Sequence, residues 1–590
     1  MNTFNIYSKT IRLIINITLL LFIIYFSFQL FNCVSDAFPR EYRDATNIQM
    51  AYNFQNGIIP YNINNNHPIE VNVYGFVNPL IVAFLSTIFG INIITTFYIF
   101  NVVCIGLICL LMVNEIISLT GGFKKENVFW YLLTFIFAYF VSYRLGYIST
   151  IPDTLGSLLG IIILCLARRI KQNKLWIISL LTIIEFYIKP YFLFFAIPVW
   201  IFYLTIDKRT ALAYFLQTFF GGFLSLFLIS LLFPQYIAQT ILFEFFETNS
   251  QSNISGYQYS FKQLFYLVKR FPLFYGTLII SLFSYLYSII NTKDKIVKYY
   301  FFILLSVILL SILLTFYLSS IGFFSISKMV KTIVYPVLLI LVFSLIVYKE
   351  KRVNQNFQIN KILEEFKSPV RLYSITIIIA SIILIKLGTQ QGAWLSYYFQ
   401  LLFPTLTIFS VTCLYKFYCK CNNNLVLLIT CFCCLIWSIF TTNLSCTYLS
   451  KNEKEDWYKV ENMINSYIEN NRDIYLSCLV SPIAILKGQS VESNGHDYVG
   501  KVDNHIISKV MKIDNIETIY PALVNMYEYA YNWNLKRNNK FENGEYSLII
   551  CDEKKKDYID KLNYYILTDS VNLHAGQQKW MHYIYKKIEE

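Results

Sequence analysis

Ser35-Asp36-Ala37-Phe38-Pro39-Arg40-Glu41-Tyr42-Arg43-Asp44 interrupts a chain that is otherwise mostly apolar. Three carboxylates (Asp36, Glu41, Asp44) and two guanidinium groups (Arg40, Arg43) fall within nine positions, directly after an apolar run at residues 11–31. That run has the length a bilayer crossing needs. Charge so close to a membrane costs free energy, so a cluster there either anchors the chain or carries chemistry. If residues 11–31 cross, with Lys9 and Arg12 holding the N-terminus in the cytoplasm, the polar stretch emerges on the far side. The rest of the chain is counted from that point.

Of 590 residues, 56% are hydrophobic and 14% charged, against about 25% charged in ordinary soluble domains. A polytopic membrane protein is expected. The loop at 32–77 is far longer than a turn between spans. Within it, Ala45, Ile48, Tyr52 and Gln55 recur at helical spacing, which predicts a helix over Arg40 to Asn56, lying flat at the interface and capped by Gly57. Asn78 to Phe89 is apolar but too short to cross, so a second interfacial helix is expected there. With that choice the basic loops at Lys124-Lys125, Arg168 to Lys174, Lys208-Arg209, Lys293 to Lys298, Lys349 to Lys361 and Lys416 to Lys420 fall in the cytoplasm.

Further spans are expected near 92–118, 127–147, 153–167, 175–188, 190–206, 211–233, 271–291, 299–318, 332–348, 370–387, 401–417 and 425–443. Together with the first they number about thirteen. An odd count places the tail outside. The expected fold is therefore an all-α polytopic domain over residues 1–443, followed by a soluble α/β domain over 444–590. In that tail, helices are expected at Trp457 to Asn470 and Tyr520 to Arg537. Strands are expected at Ile474 to Val480, Tyr546 to Cys551, Tyr564 to Thr568 and Trp580 to Lys586.

The net charge of +13 collects in the short loops, a topology signal that argues against a nucleic-acid partner. Cys419-Lys420-Cys421 and Cys431-Phe432-Cys433-Cys434 lack the further ligands of a zinc site, and the five histidines never reach metal-ligand spacing. Neither a metal nor a cofactor is expected. Cys446, Cys478 and Cys551 could include a disulfide pair.

Glu41 is the leading candidate for chemistry. It follows Pro39 near a helix start, where the dipole favours its anion, and an ionised carboxylate there suits a general base. Asp44 shares its face three residues on. It can equally pair with Arg40 four residues back as an ordinary exposed ion pair. Asp153, in Ile151-Pro152-Asp153-Thr154-Leu155, opens a span at the same face, as a helix-start acid or as a partner to Glu41. Lys189, in Ile188-Lys189-Pro190-Tyr191, either snorkels or holds a phosphate as a point charge. Lys328 and Lys331 admit the same two readings and break the positive-inside pattern.

Several segments together resemble a known family. They are Pro39-Arg40-Glu41-Tyr42-Arg43-Asp44-Ala45, Phe54-Gln55-Asn56-Gly57-Ile58-Ile59-Pro60-Tyr61 and Tyr74-Gly75-Phe76-Val77-Asn78-Pro79-Leu80, then the motifs at 151–155 and 188–191 and Gly392-Ala393-Trp394-Leu395-Ser396-Tyr397-Tyr398-Phe399. In order and spacing they resemble the GT-C glycosyltransferases, near lipid A aminoarabinose transferase and the protein O-mannosyltransferases. The resemblance implies a GT-C-like membrane enzyme, a hexosyl- or pentosyltransferase. It would move a sugar from a polyprenyl-phosphate donor to a hydroxyl of a glycan, lipid or protein acceptor, with inversion. It also implies a site on the periplasmic face of a bacterial inner membrane, with Glu41, Asp44 and Asp153 around the reacting atoms and Lys189, Lys328 and Lys331 on the donor phosphate. Arg40 stands where many relatives carry the aspartate of an Asp-Glu pair. The alternatives are a flippase for a lipid-linked saccharide and a polysaccharide polymerase or ligase.

Overall fold

The computed structural model describes residues 2–34, 37–41, 44–61, 74–144, 149–169, 174–242, most of 371–380, 395–420, residue 432, 449–489, 521–575 and 578–588. The expected spans at 271–291, 299–318 and 332–348 lie outside these residues, as do Lys328, Lys331 and nearly all of 425–443.

Helix α1 (Asn2–Val34) turns one stripe, Ile15, Leu19, Phe26 and Leu30, inward and leaves large apolar side chains exposed around it. That is the pattern of a helix with lipid on most sides. The aromatic ring of Phe26 stacks on Tyr139, whose hydroxyl donates to the Phe26 carbonyl (2.9 Å). Helix α2 (Asp44–Gln55) departs from the flat interfacial helix expected. It begins at Asp44, four residues later than the start expected at Arg40, and its polar side chains Thr46, Asn47, Gln49 and Asn53 are buried along with Ala45, Ile48 and Ala51. The reason is neighbours on both sides: α3 (Val77–Phe89) and α4 (Ile93–Leu119) on one, the C-terminal region on the other. Asn92 caps α4 by accepting the Ile94 N–H (2.8 Å).

The bundle continues with α5 (Val128–Arg144), α6 (Asp153–Arg169), α7 (Leu175–Ile188), a 3-10 turn (Pro190–Phe195), α8 (Ala196–Leu204) and α9 (Lys208–Leu232), and later α10 (Leu395–Lys420). Gly156 and Gly160, one turn apart on α6, let the 3-10 turn lie close: a Cβ at either would run into the ring of Phe192 or Phe195.

The expected architecture of about thirteen spans does not form among the described residues. Among the described residues, three helices are long and apolar enough to cross a membrane: residues 10–32 of α1, α4 and α9. The runs expected to cross at 127–147 and 153–167 become helices of 17 residues, about 26 Å each against a ~30 Å apolar core. That at 175–188 has 14 residues, and that at 190–206 is split into a six-residue 3-10 turn and a nine-residue helix. Apolar composition persuaded where length and continuity fail. The long apolar helices remain those of a multi-pass membrane protein.

The C-terminal region is a mixed four-stranded sheet, β1 (Ile474–Leu476), β2 (Leu548–Asp552), β3 (Tyr565–Ala575) and β4 (Gln578–Lys587), in the order β1-β2-β4-β3. β1 runs parallel to β2, while β4 is antiparallel to both its neighbours. Helix α11 (Lys451–Glu469) starts earlier than the helix expected at Trp457, because Ser450 and Glu453 form a reciprocal cap. α12 (Ser481–Ile485), α13 (Pro521–Glu542) and α14 (Glu553–Ile559) complete it. β1 stops at Leu476, shorter than expected, because the chain turns into α12. Cys478 and Cys551 are free thiols.

Candidate functional site

The acidic residues singled out above meet where α4 and α6 begin and α7 ends. Asp44 holds that meeting point together. Its Oδ2 accepts the backbone N–H of Arg40 (2.7 Å) and of Glu41 (3.0 Å), and its Oδ1 accepts the backbone N–H (3.0 Å) and hydroxyl (2.7 Å) of Thr150. The Arg40–Asp44 ion pair considered above gives way here to a bond from the Arg40 backbone. The Arg40 guanidinium lies over the Tyr98 ring, 4.1 Å from its centroid, a stacking geometry that favours arginine.

The turn at 149–151 is held by three asparagines. Asn47 donates to the Thr150 hydroxyl (3.4 Å), Asn78 to the Thr150 carbonyl (3.4 Å), and Asn101 to the Ser149 carbonyl. A buried amide must be paired or its desolvation goes uncompensated. These amides therefore fix α2, α3 and α4 relative to the start of α6.

Asp153, the first residue of α6, is buried. Its Oδ1 accepts from the Lys189 ammonium at 3.3 Å and from the Tyr191 hydroxyl, while its Oδ2 has no hydrogen-bond partner among the described residues. Lys189 also sits over the rings of Tyr74 (4.4 Å) and Tyr191 (4.7 Å). Chain geometry explains the placement. Pro190 ends α7 and opens the 3-10 turn, aiming Lys189 and Tyr191 back at α6. The Gly75 N–H donates to the Ile188 carbonyl (3.0 Å), and a Cβ at Gly75 would collide with the Tyr187 carbonyl. Only glycine lets Tyr74 approach so closely. Tyr61, in the left-handed region at φ 56°, donates to the Tyr74 carbonyl (2.6 Å). A bulky residue in that region is strained, so the tertiary contacts hold this turn beside the site.

Glu41 lies in the loop before α2 rather than on its first turn, so the helix dipole is not what governs it. The residue keeps some exposed surface, but its carboxyl is enclosed. Burial raises its proton affinity well above the usual carboxylate range. The neighbouring charges of Asp44 and Asp153 raise it further, and Lys189 pulls the other way. The direction is opposite to the one the helix dipole was expected to impose.

The loop that carries Glu41 is clamped from outside as well. Phe38 stacks on Trp457 of α11 (5.2 Å between ring centroids, 20° between planes) and meets Tyr458 edge-on (5.2 Å), and the Phe38 carbonyl accepts from the Tyr98 hydroxyl (2.7 Å). The C-terminal region thus packs on the site loop.

Glu41, Asp44, Asp153 and Lys189 come together. Tyr74, Gly75, Thr150 and Tyr191 join them unforeseen, although Gly75 and Tyr191 lie inside quoted motifs. Asparagines in apolar helices (Asn78, Asn101) were the signal that could have found the clasp. Among the described residues, no three His, Cys, Asp or Glu side chains are placed to hold a metal. Asp44 has both oxygens occupied by N–H and O–H donors.

A second charged centre lies at the other end of α6. Glu115 of α4 accepts from Arg168 (2.5 Å), from Arg169 and from the Tyr373 hydroxyl (2.6 Å).

Comparison of the chain with protein-family models, curated proteins and solved structures finds no match. The resemblance to GT-C glycosyltransferases is therefore not sustained. It rested on short motifs in a certain order and on about thirteen spans, and no family model supports the first while three long apolar helices among the described residues replace the second. Transfer of a sugar from a polyprenyl-phosphate donor falls with it, as do the flippase and polymerase alternatives, which assumed the same architecture.

Proposed function

We propose that this protein is a membrane-embedded enzyme whose reaction turns on proton transfer by Glu41. The observation that carries this reading is the enclosure of the Glu41 carboxyl beside Asp44, Asp153 and Lys189, which raises its proton affinity well above the usual carboxylate range. A carboxylic acid so poised gives its proton to a departing oxygen. Once ionised, it takes one from an attacking hydroxyl. Asp44 is a positioning residue that sets the Glu41 backbone. Asp153 and Lys189 supply a paired charge whose balance shifts when an anionic group approaches the ammonium. The substrate class that fits is a membrane lipid with an anionic head group. Lys189 supplies its cation, and α3 presents Leu80, Phe84 and Ile88 outward nearby as an apolar flank.

The site faces the non-cytoplasmic side of a bacterial inner membrane in this reading. α4 and α6 start at the site and run to Leu119 and to Arg168-Arg169, so Lys124, Lys125 and the arginine pair lie at the opposite end. Short basic segments mark the cytoplasmic end of a bundle.

The test is chemical. Lipid and envelope extracts from a deletion strain, complemented with wild type or with Glu41→Gln, are compared by mass spectrometry. Wild type restores a species that the variant, present at equal folded level, does not. Restoration by Glu41→Gln at the wild-type level would remove Glu41 from the reaction.

A further inference from the structure

Ten residues' worth of α7 separates Ser179 from Lys189, and the seam between α7 and α9 along it is polar. Ser179 donates to Gln217 (3.4 Å), Thr182 and Tyr214 share a hydrogen bond (3.1 Å), and Tyr187 pairs with Ser225 (2.7 Å). In the middle of this ladder stands Glu185. It is completely buried, and neither carboxyl oxygen has a hydrogen-bond partner among the described residues. A carboxylate cannot persist there, because nothing replaces the water it would lose. Leucine or alanine there would carry no such desolvation cost, so a buried carboxyl without a partner points to a ligand that the group itself binds.

We propose that Glu185 is a proton-binding site inside the apolar bundle, distinct from Glu41 and independent of the reading above. Among the described residues, the titratable and charged groups on the elements packed against it are few. α6 carries Asp153, Cys165, Arg168 and Arg169, and Lys208, Arg209 and Tyr214 belong to α9. The 3-10 turn carries Tyr191, α3 carries none, and α7 itself adds Tyr187 and the following Lys189. Asp153 already holds the Lys189 ammonium, and Glu115 holds both arginines. Of the others, Tyr214 lies within electrostatic reach of Glu185. The Lys189 N–H is hydrogen-bonded to the Glu185 carbonyl (3.1 Å), so a shift of this turn on proton loss carries directly to the lysine.

Dicyclohexylcarbodiimide, an apolar reagent that adds to protonated carboxyls in water-poor surroundings, is the probe. The full-length protein in lipid vesicles is treated across a pH series, and the modified peptides are mapped by mass spectrometry. The expected result is label on Glu185 under native conditions, declining about tenfold per pH unit once the group ionises. Glu185→Gln should lose that label and keep any on Glu41, whereas Glu41→Gln should keep the Glu185 label. Tyr214→Phe, which removes a neighbouring hydroxyl and leaves the carboxyl, should shift the pH midpoint. Absence of label on Glu185 at every pH in folded protein, with Glu41 labelled in the same sample, overturns the proposal. So does label that is independent of pH.

Discussion

The two ends of α6 use carboxylates in opposite ways. At its C-terminal end, Glu115 is fully buried and meets two guanidinium groups and a tyrosine hydroxyl. More cation than anion surrounds it, and its lone pairs are used. At its N-terminal end, three carboxyl groups, Glu41, Asp44 and Asp153, share the region with Lys189, and one Asp153 oxygen has no partner among the described residues. The lesson is that a buried charge does not by itself mark a site. A saturated ion pair holds helices together, whereas an enclosed acid among other carboxyls, as Glu41 is, gains proton affinity.

The sharpest way to break this contrast is to neutralise one acid at each end. Glu41→Gln should lower turnover about 10²–10⁴-fold, the usual contribution of a positioned acid or base, while leaving the melting temperature near wild type. Glu115→Ala should do the reverse. Leaving Arg168 and Arg169 without their buried counter-ion should cost about 3–5 kcal/mol of stability, read by thermal unfolding in detergent, with turnover per folded molecule little changed. If Glu115→Ala instead abolished turnover at unchanged stability, the two ends would not differ in kind.

How much of this was legible in the sequence follows from the same contrast. Glu41, Asp44, Asp153 and Lys189 stood out because each interrupts an apolar run, and the structure brings them together across more than a hundred residues of chain. Glu115 did not stand out: its partners lie 53, 54 and 258 positions away, and no local pattern encodes them. Nor did Glu185, a single carboxyl in the apolar run at 175–188. The number of crossings was misread because hydropathy sees composition, whereas Pro190 and the 17-residue lengths of α5 and α6 are set by where the chain turns. α2 was misplaced because its apolar spacing was read without its polar side, which is buried only once Thr150 and the C-terminal region arrive. The strands of the tail were more readable, their apolar runs being short and bounded by turns.

Asp44 offers an intermediate case, a carboxylate at the reactive end that is saturated like Glu115. Asp44→Asn keeps the shape but turns an amide N–H₂ toward one pair of donors, either the two backbone N–H groups of the Glu41 loop or the two of Thr150. We expect a stability loss of about 2 kcal/mol. Turnover should fall with it, because the loop that carries Glu41 is no longer held. Stability lost with full turnover would separate Asp44 from the positioning of Glu41.

The smallest effect is the most specific. Glu41 has a raised proton affinity when folded, so between its unfolded pKa of about 4.3 and its higher folded value the native state binds more protons than the unfolded one. Stability contributed by that proton is complete below the unfolded pKa and is lost as pH rises through the folded one. The slope reaches at most about 1.4 kcal/mol per pH unit. Glu41→Gln should flatten this part of the profile and leave the rest unchanged. A wild-type profile that rises with pH over the same window would mean that Glu41 is held as an anion, and the two ends of α6 would then use their carboxylates alike.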